Sequence, residues 1–83
     1  MPLLIFSNHA QAQLKERRLS EEMVIEAVEI PDKIVAQKAN RYRIAKSIQK
    51  NGKKFLLIVV YDRTDERIEI VTAFLTTKFK KYL

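Results

Sequence analysis

The sequence predicts a single α+β domain over residues 1–83, in which two N-terminal helices pack on one face of an antiparallel sheet in the order β-α-α-β-β-β-β. Three observations predict it. Serine caps and apolar stripes of helical spacing occupy the first third, and alternating or wholly apolar runs fill the rest. An Asn51-Gly52 dipeptide separates two of those runs, which is the strongest short-range hairpin signal. The length leaves room for one domain, since a typical domain has about 100–150 residues.

Two helices are predicted in the first third of the chain. Ser7 or Asn8 can cap a helix over His9 to Arg18, because either side chain can accept a hydrogen bond from the unpaired first amides. Ser20 caps a second helix, which carries an apolar stripe. Pro31 ends that helix, since the residue before a proline is disfavoured in helical geometry.

Five strands are predicted, one ahead of the helices and four behind them. They are Leu3 to Phe6, Lys33 to Lys38, Arg41 to Lys50, Lys53 to Asp62 and Arg67 to Leu75. The fourth of these is apolar on both faces, which predicts a central strand covered on both sides. The last strand alternates, and this predicts one row of side chains on one face, namely Ile68, Ile70, Thr72 and Phe74. Residues 76–83 form a basic, aromatic tail with one helical turn.

Composition narrows the class of protein. Residues 1–32 carry three basic and six acidic side chains, whereas residues 33–83 carry thirteen and four. A strongly basic half predicts an anionic partner, either nucleic acid or an acidic protein segment, although a lysine-rich surface alone is the simpler explanation. The chain has no cysteine, which favours a cytoplasmic location. No apolar run approaches the ~20 residues that cross a bilayer, so no membrane partner is expected.

The N-terminal half contains a distinctive set of residues. These are Phe6-Ser7-Asn8-His9-Ala10, Leu14-Lys15-Glu16-Arg17, Leu19-Ser20, Val24 to Val28 and Pro31-Asp32. The second half adds Arg41-Tyr42-Arg43, the Lys53 to Tyr61 strand and Ile70-Val71-Thr72-Ala73-Phe74. Together they resemble the domain of unknown function 4258 family over nearly the whole chain.

That family is similar in layout to the RelE/ParE/BrnT-type toxins, which are small basic domains with two helices before a meander. The resemblance implies metal-independent RNA cleavage or, as in ParE-like proteins, inhibition of another target. It also implies RNA or the ribosome as a target and an acidic antitoxin protein as a partner. RelE-like nucleases often place a His or Tyr near the C-terminus among basic residues. This sequence departs from that pattern, since only Tyr82 lies there and its one histidine lies at the start of the first predicted helix.

His9 is the one obvious proton shuttle, because an ordinary histidine pKa of ~6.5 lies near neutrality. In metal-independent RNA cleavage a base removes the 2′-hydroxyl proton and an acid protonates the departing 5′-oxygen. His9 can take either role, and its place at a helix N-terminus suits a base. The alternative is a histidine that packs or caps the helix and does no chemistry.

Cationic side chains provide candidates for binding phosphate. Arg41 and Arg43 lie two apart on a strand, so both guanidinium groups leave one face about 7 Å apart and can contact neighbouring phosphates. Both are candidate catalytic residues, because their charge would stabilise the phosphorane-like charge during cleavage. The alternative is a solvated strand face. Arg17 can join them or pair locally with Glu21, and Lys46 is a further candidate for RNA binding.

The tail alternates cations with aromatic rings, a composition that suits base stacking and phosphate neutralisation. Lys78, Lys80 and Lys81 are candidate RNA contacts, and Tyr82 is a candidate general acid or phosphate donor. The i, i+3 spacing of Phe79 and Tyr82 equally predicts that the terminal turn docks on the core.

Other chemistries find little support. One histidine without cysteine makes no dedicated metal site, and no glycine-rich phosphate loop is present, so neither a metal nor a cofactor is expected. Three functions remain open: a ribonuclease toxin held by an acidic antitoxin, a non-catalytic module that binds RNA or the ribosome, and a protein-interaction domain.

Overall fold

The computed structural model describes residues 2–83, which form a five-stranded sheet in the order β1-β5-β4-β3-β2 and three helices. The elements are β1 (Leu3–Phe6), α1 (Asn8–Glu16), α2 (Glu21–Glu29), β2 (Lys33–Ala36), β3 (Arg41–Lys50), β4 (Lys53–Arg63), β5 (Arg67–Thr76) and α3 (Phe79–Tyr82). The predicted α+β layout, with two helices ahead of a meander, is confirmed. Within residues 2–83, no helix has the length and hydropathy to cross a membrane.

The sheet is mixed rather than wholly antiparallel. Strands β2 to β5 form the predicted antiparallel meander. β1 pairs in parallel with β5, from Leu3 opposite Arg67 to Phe6 opposite Ile70. A parallel pair needs a long connection, and the two helices with the meander provide it. Because β1 ends at Phe6, β5 has no strand on that side beyond Ile70 in the part of the chain described.

Both predicted serine caps are present. The Ser7 Oγ accepts from the Ala10 amide at 3.0 Å, and the Ser20 Oγ accepts from the Met23 amide at 3.2 Å. Each bond satisfies one of the free N–H groups in the first turn of a helix. Ser7 rather than Asn8 is therefore the cap of α1.

α1 ends two residues before the predicted Arg18. The Leu19 amide donates to the Leu14 carbonyl at 2.8 Å, and the Arg18 amide donates to the Lys15 carbonyl at 3.2 Å. These are the two bonds of a Schellman motif, which places its central residue in the left-handed region. Arg18 occupies that position with φ 57°, where glycine is the usual residue.

The β3–β4 hairpin turns at Asn51 and Gly52, as predicted. Their φ angles are 53° and 77°, so both central residues are left-handed. A type I′ turn requires this, and its twist matches the twist of the flanking strands. The turn places ten residues of β3 opposite β4.

β4 is buried on both faces, as its composition predicted. We call the side covered by α1 and α2 the helix face, and the opposite side, which carries α3, the α3 face. The buried residues of the helix face include Ala10, Leu14, Val24, Ala27, Ile44, Leu57, Val59, Ile70 and Ala73. Those of the α3 face are Ala45, Leu56 and Ile58, packed against Phe74, Phe79 and Tyr82.

A β-bulge overturns the predicted row of side chains on β5. Thr72 lies opposite Val60 and Ile70 lies opposite Tyr61, so Val71 is an extra residue on β5. An extra residue interrupts the alternation of side chains between faces. As a result Phe74 does not continue the row begun at Ile68 and Ile70, but packs on the α3 face.

Candidate functional site

A row of polar side chains joins α1 to the part of β5 that β1 leaves uncovered. His9, Gln13 and Arg17 lie at successive turns of α1, and Thr72 faces them from β5. The Nε2 atoms of His9 and Gln13 are 2.9 Å apart, and the Thr72 hydroxyl donates to Gln13 Oε1. Arg17 Nη1 donates to the Ala73 carbonyl at 2.7 Å and lies 3.4 Å from Thr72 Oγ1. We call these four side chains the α1–β5 relay.

Arg17 is the anchor of this relay. Its bond to the Ala73 carbonyl satisfies a main-chain acceptor on the part of β5 that β1 leaves uncovered, which would otherwise need water. The predicted local pairing with Glu21 is not observed, because the Arg17 guanidinium instead turns toward β5. Arg17 itself remains exposed, so its other donors face solvent.

The α3 face centres on a cation–aromatic cluster. The Arg43 guanidinium carbon lies 5.2 Å from the Tyr82 ring centroid, and Lys81 Nζ lies 5.3 Å from the same centroid. The Phe74 and Tyr82 rings meet edge to face at 6.0 Å. Both distances between cation and ring fall within the range of a cation–π interaction. Arg43, Lys81 and Tyr82 thus form one patch, which we call the Arg43–Tyr82 patch.

The terminal turn docks on the sheet through apolar and polar contacts. Phe79 and Tyr82 pack over the small α3-face cluster, and Lys33 Nζ donates to the Leu83 carbonyl at 2.7 Å. This docking positions the neighbouring lysines at the surface. An open depression along α3 is lined by Thr77, Lys78, Phe79, Lys80 and Lys81.

Arg41 leaves the same face as Arg43, but its guanidinium group is occupied. Nε contacts one carboxylate oxygen of Asp62 at 2.7 Å, and Nη2 contacts the other at 3.1 Å. The hydrogen bond to Arg41 lowers the pKa of the Asp62 carboxyl, and the same bond raises the pKa of Arg41. The expected pair of free arginines is therefore reduced to Arg43 alone.

The structure does not bring His9 together with the arginines of β3. α1 shares the helix-face core with Tyr42 and Ile44, the two neighbours of Arg43 in the strand. Successive side chains of a strand point to opposite faces, so Arg43 points away from α1 and toward Tyr82. One site that contains both His9 and Arg43 is not formed.

The remaining candidates divide between the two faces. Lys46 lies opposite Leu57 and shares the helix face, whereas the lysines of the tail lie around α3. Acidic groups are concentrated on α2, which carries four glutamates in nine residues. Negative charge is therefore concentrated on α2 and positive charge around α3.

Two members of the relay, Gln13 and Thr72, were not among the predicted site residues. The spacing of His9, Gln13 and Arg17 at i, i+4 and i+8 places them on one stripe of α1 and is visible in the sequence. Thr72 has no such local signal, because 59 residues separate it from Gln13. Within residues 2–83, no three His, Asp or Glu side chains are grouped so as to hold a metal ion.

The fold and these two sites define a small mixed-sheet domain with a polar helix edge and a basic opposite face. The family model described as "Domain of unknown function (DUF4258)" matches residues 6–80, and the chain belongs to that family. No curated protein and no solved structure matches the chain.

Proposed function

We propose that this protein binds RNA through its α3 face, as a small basic protein of the toxin type that acts in the cytoplasm. The observation that carries the proposal is the Arg43–Tyr82 patch, in which two cations flank one half-buried aromatic ring. Cations interleaved with an aromatic ring suit single-stranded nucleic acid, because the bases can stack while the phosphates are neutralised.

The distribution of charge supports one orientation of the RNA. The lysines of the tail surround α3, whereas four glutamates lie on α2. A polyanion is attracted to the lysines of α3 and repelled by the glutamates of α2. An acidic antitoxin protein would be attracted to the same cations and would compete with RNA for them.

A salt titration tests the proposal. If about five phosphates are contacted, the log–log slope of affinity for a single-stranded oligonucleotide against salt is near −3.5. We expect Arg43→Ala to reduce the magnitude of that slope by about 0.7 and to weaken binding. Lys46→Ala is the matched control, because it removes one positive charge from the helix face and should leave the slope unchanged.

Arg41→Ala sharpens the same experiment. Its guanidinium group is held by Asp62, so we expect a smaller loss of affinity than Arg43→Ala produces. Equal losses for Lys46→Ala and Arg43→Ala would contradict binding at the α3 face. A wild-type affinity that does not depend on salt would leave only the protein-interaction function.

A metal-independent ribonuclease of the toxin type is the second candidate. The Tyr82 ring lies beside Arg43, so a proton donor and a cation for the phosphorane-like charge meet on one face. The 2′-hydroxyl would attack phosphorus and lose its proton to solvent, the bond from phosphorus to the 5′-oxygen would break, and Tyr82 would protonate that oxygen. Cleavage should then proceed in EDTA and leave 2′,3′-cyclic or 3′-phosphate ends. Tyr82→Phe should slow it by about 10²- to 10⁴-fold, the usual contribution of a positioned acid or base.

His9→Ala is the control for the site of cleavage. Because His9 lies on the other side of the sheet, we expect this variant to retain the rate that its RNA affinity allows. A loss as large as that of Tyr82→Phe would move the chemistry to α1. Intact RNA with the wild-type protein would exclude cleavage and leave RNA binding as the function.

A further inference from the structure

The α1–β5 relay begins at a side chain that can only donate hydrogen bonds. The Arg17 guanidinium group has no acceptor, so at Thr72 the hydroxyl oxygen must accept from it. The hydroxyl hydrogen is then free to be donated, and Gln13 Oε1 receives it. Arginine thus fixes the direction of the first hydrogen bond, and the Gln13 amide oxygen, which can only accept, fixes the direction of the second.

The orientation of the Gln13 amide also fixes the direction of its hydrogen bond to His9. With Oε1 turned toward Thr72, the amide nitrogen faces the imidazole, and the two Nε2 atoms are 2.9 Å apart. An amide nitrogen donates and does not accept, so Nε2 of His9 must be the acceptor. In a neutral imidazole the proton then resides on Nδ1.

We propose that Arg17, Thr72 and Gln13 are positioning residues that hold neutral His9 in the Nδ1–H tautomer. The opposite orientation of the Gln13 amide would leave the Thr72 hydroxyl hydrogen without an acceptor in the relay. In the observed orientation each link of the row joins a donor to an acceptor, and hydrogen bonds aligned in this way strengthen one another.

The tautomer determines what His9 can offer to a ligand. Nε2 is occupied by Gln13, and the open nitrogen, Nδ1, carries a hydrogen and no free lone pair. His9 is therefore a hydrogen-bond donor to an acceptor oxygen of a ligand, and it is not a general base. The tautomer does not rest on the proposed RNA binding, which uses the opposite face of the sheet.

His9 is the only histidine in the chain, so its ring can be observed without ambiguity. The test is a long-range ¹H–¹⁵N spectrum of uniformly ¹⁵N-labelled protein at a pH of about 9, more than two units above an ordinary histidine pKa of ~6.5. We expect the protonated-nitrogen resonance at Nδ1 and the lone-pair resonance at Nε2. A predominant Nε2–H pattern in the wild-type protein would overturn the proposal.

Gln13→Glu is the decisive variant, because a carboxylate only accepts. The proton should move to Nε2, and the two nitrogen resonances should exchange positions. Gln11→Glu makes the same charge change at an exposed position of α1, and it should leave the tautomer as in the wild type. If Gln13→Glu and Gln11→Glu give the same spectrum, the relay does not set the tautomer.

Two substitutions at Thr72 complete the test. Thr72→Val removes the hydroxyl and keeps the shape, so we expect a mixture of tautomers. Thr72→Ser restores the hydroxyl and should restore the Nδ1–H form, whereas an unchanged mixture in this variant would contradict the proposal. Urea unfolding of each variant identifies any that fails to fold. No RNA is present, so a failure of RNA binding does not affect the result, and a wrong tautomer does not affect the α3 face.

Discussion

The helix face and the α3 face of the sheet are covered to very different extents. Two nine-residue helices cover the first, and its buried cluster has twelve members in residues 2–83. One four-residue turn covers the second, where the buried cluster has three members. Since burial of apolar surface is the main stabilising contribution, most of the stability should reside on the helix face.

The polar side chains of the two regions also differ in the partners that they have. Between α1 and the uncovered part of β5, the side chains of the α1–β5 relay bond to one another. On the α3 side Arg43 and Lys81 contact the Tyr82 ring, and among residues 2–83 Arg41 alone has a carboxylate partner. The helix face therefore holds most of the buried core, whereas the α3 face carries cations at the protein surface.

Leu57 and Leu56 give the largest and most direct test of this difference. They are neighbours in β4, both are 0% exposed, and they point to opposite faces. We expect Leu57→Ala to lower the free energy of unfolding by about 4 kcal/mol and Leu56→Ala by about 2 kcal/mol, because one terminal turn can settle into the cavity more readily than two helices. Urea denaturation measures both, and equal losses would mean that α3 packs as rigidly as α1 and α2.

A change at the β3–β4 turn should weaken both faces together. Gly52 has φ 77°, and a Cβ built there would have no atom within 4 Å, so the cost of Gly52→Val is one of backbone strain. We expect a loss of about 1–2 kcal/mol in urea denaturation. Gly52→Asn is the control, since asparagine tolerates the left-handed region, and it should cost clearly less.

Arg18→Gly should strengthen the helix face slightly. Arg18 holds the left-handed position of the Schellman motif, where glycine avoids the steric cost of a side chain. We expect a gain of about 0.5–1 kcal/mol in the free energy of unfolding. Lys15→Gly places glycine inside α1 instead and should be destabilising, so a loss in both variants would contradict the role given to Arg18.

The smallest expected effect concerns the Arg41–Asp62 ion pair of the α3 face. Arg41 lowers the pKa of Asp62 below the ordinary value of 3.8, so the pair stabilises the fold above that value and loses this contribution as the pH falls through the folded-state pKa. The raised pKa of Arg41 keeps the guanidinium group charged at every working pH. The difference in unfolding free energy between wild type and Asp62→Asn should therefore shrink from pH about 6 to pH about 2. Asp65→Asn, at an exposed turn position, is the control, and a difference that grew in acid would contradict this assignment.

Much of the fold could be predicted because its signals are local. The Ser7 and Ser20 caps depend on side chains within three residues of the amides that they accept from. The Asn51-Gly52 turn depends on two backbone dihedrals. The apolar run of β4 indicates directly that both faces of this strand are covered. Each of these signals acts over a few residues, so the sequence displays it without reference to the rest of the chain.

The candidate sites depend on contacts between distant parts of the chain. His9 and Arg43 were both recognisable as functional side chain types, yet their placement on opposite faces depends on which side of the sheet α1 covers. The ion pair between Arg41 and Asp62 depends on the strand register that places the two residues opposite each other.

The bulge at Val71 is the clearest example of a feature that the sequence alone did not predict. One extra residue in β5 moves Phe74 to the α3 face, where it supports Tyr82, and Thr72 beside the bulge contacts α1. Residue types and local geometry thus follow from the sequence alone. The face to which a side chain points, the register of the strands and the direction of the hydrogen bonds in the α1–β5 relay are decided by the assembled sheet. Each of them depends on partners that are tens of residues away.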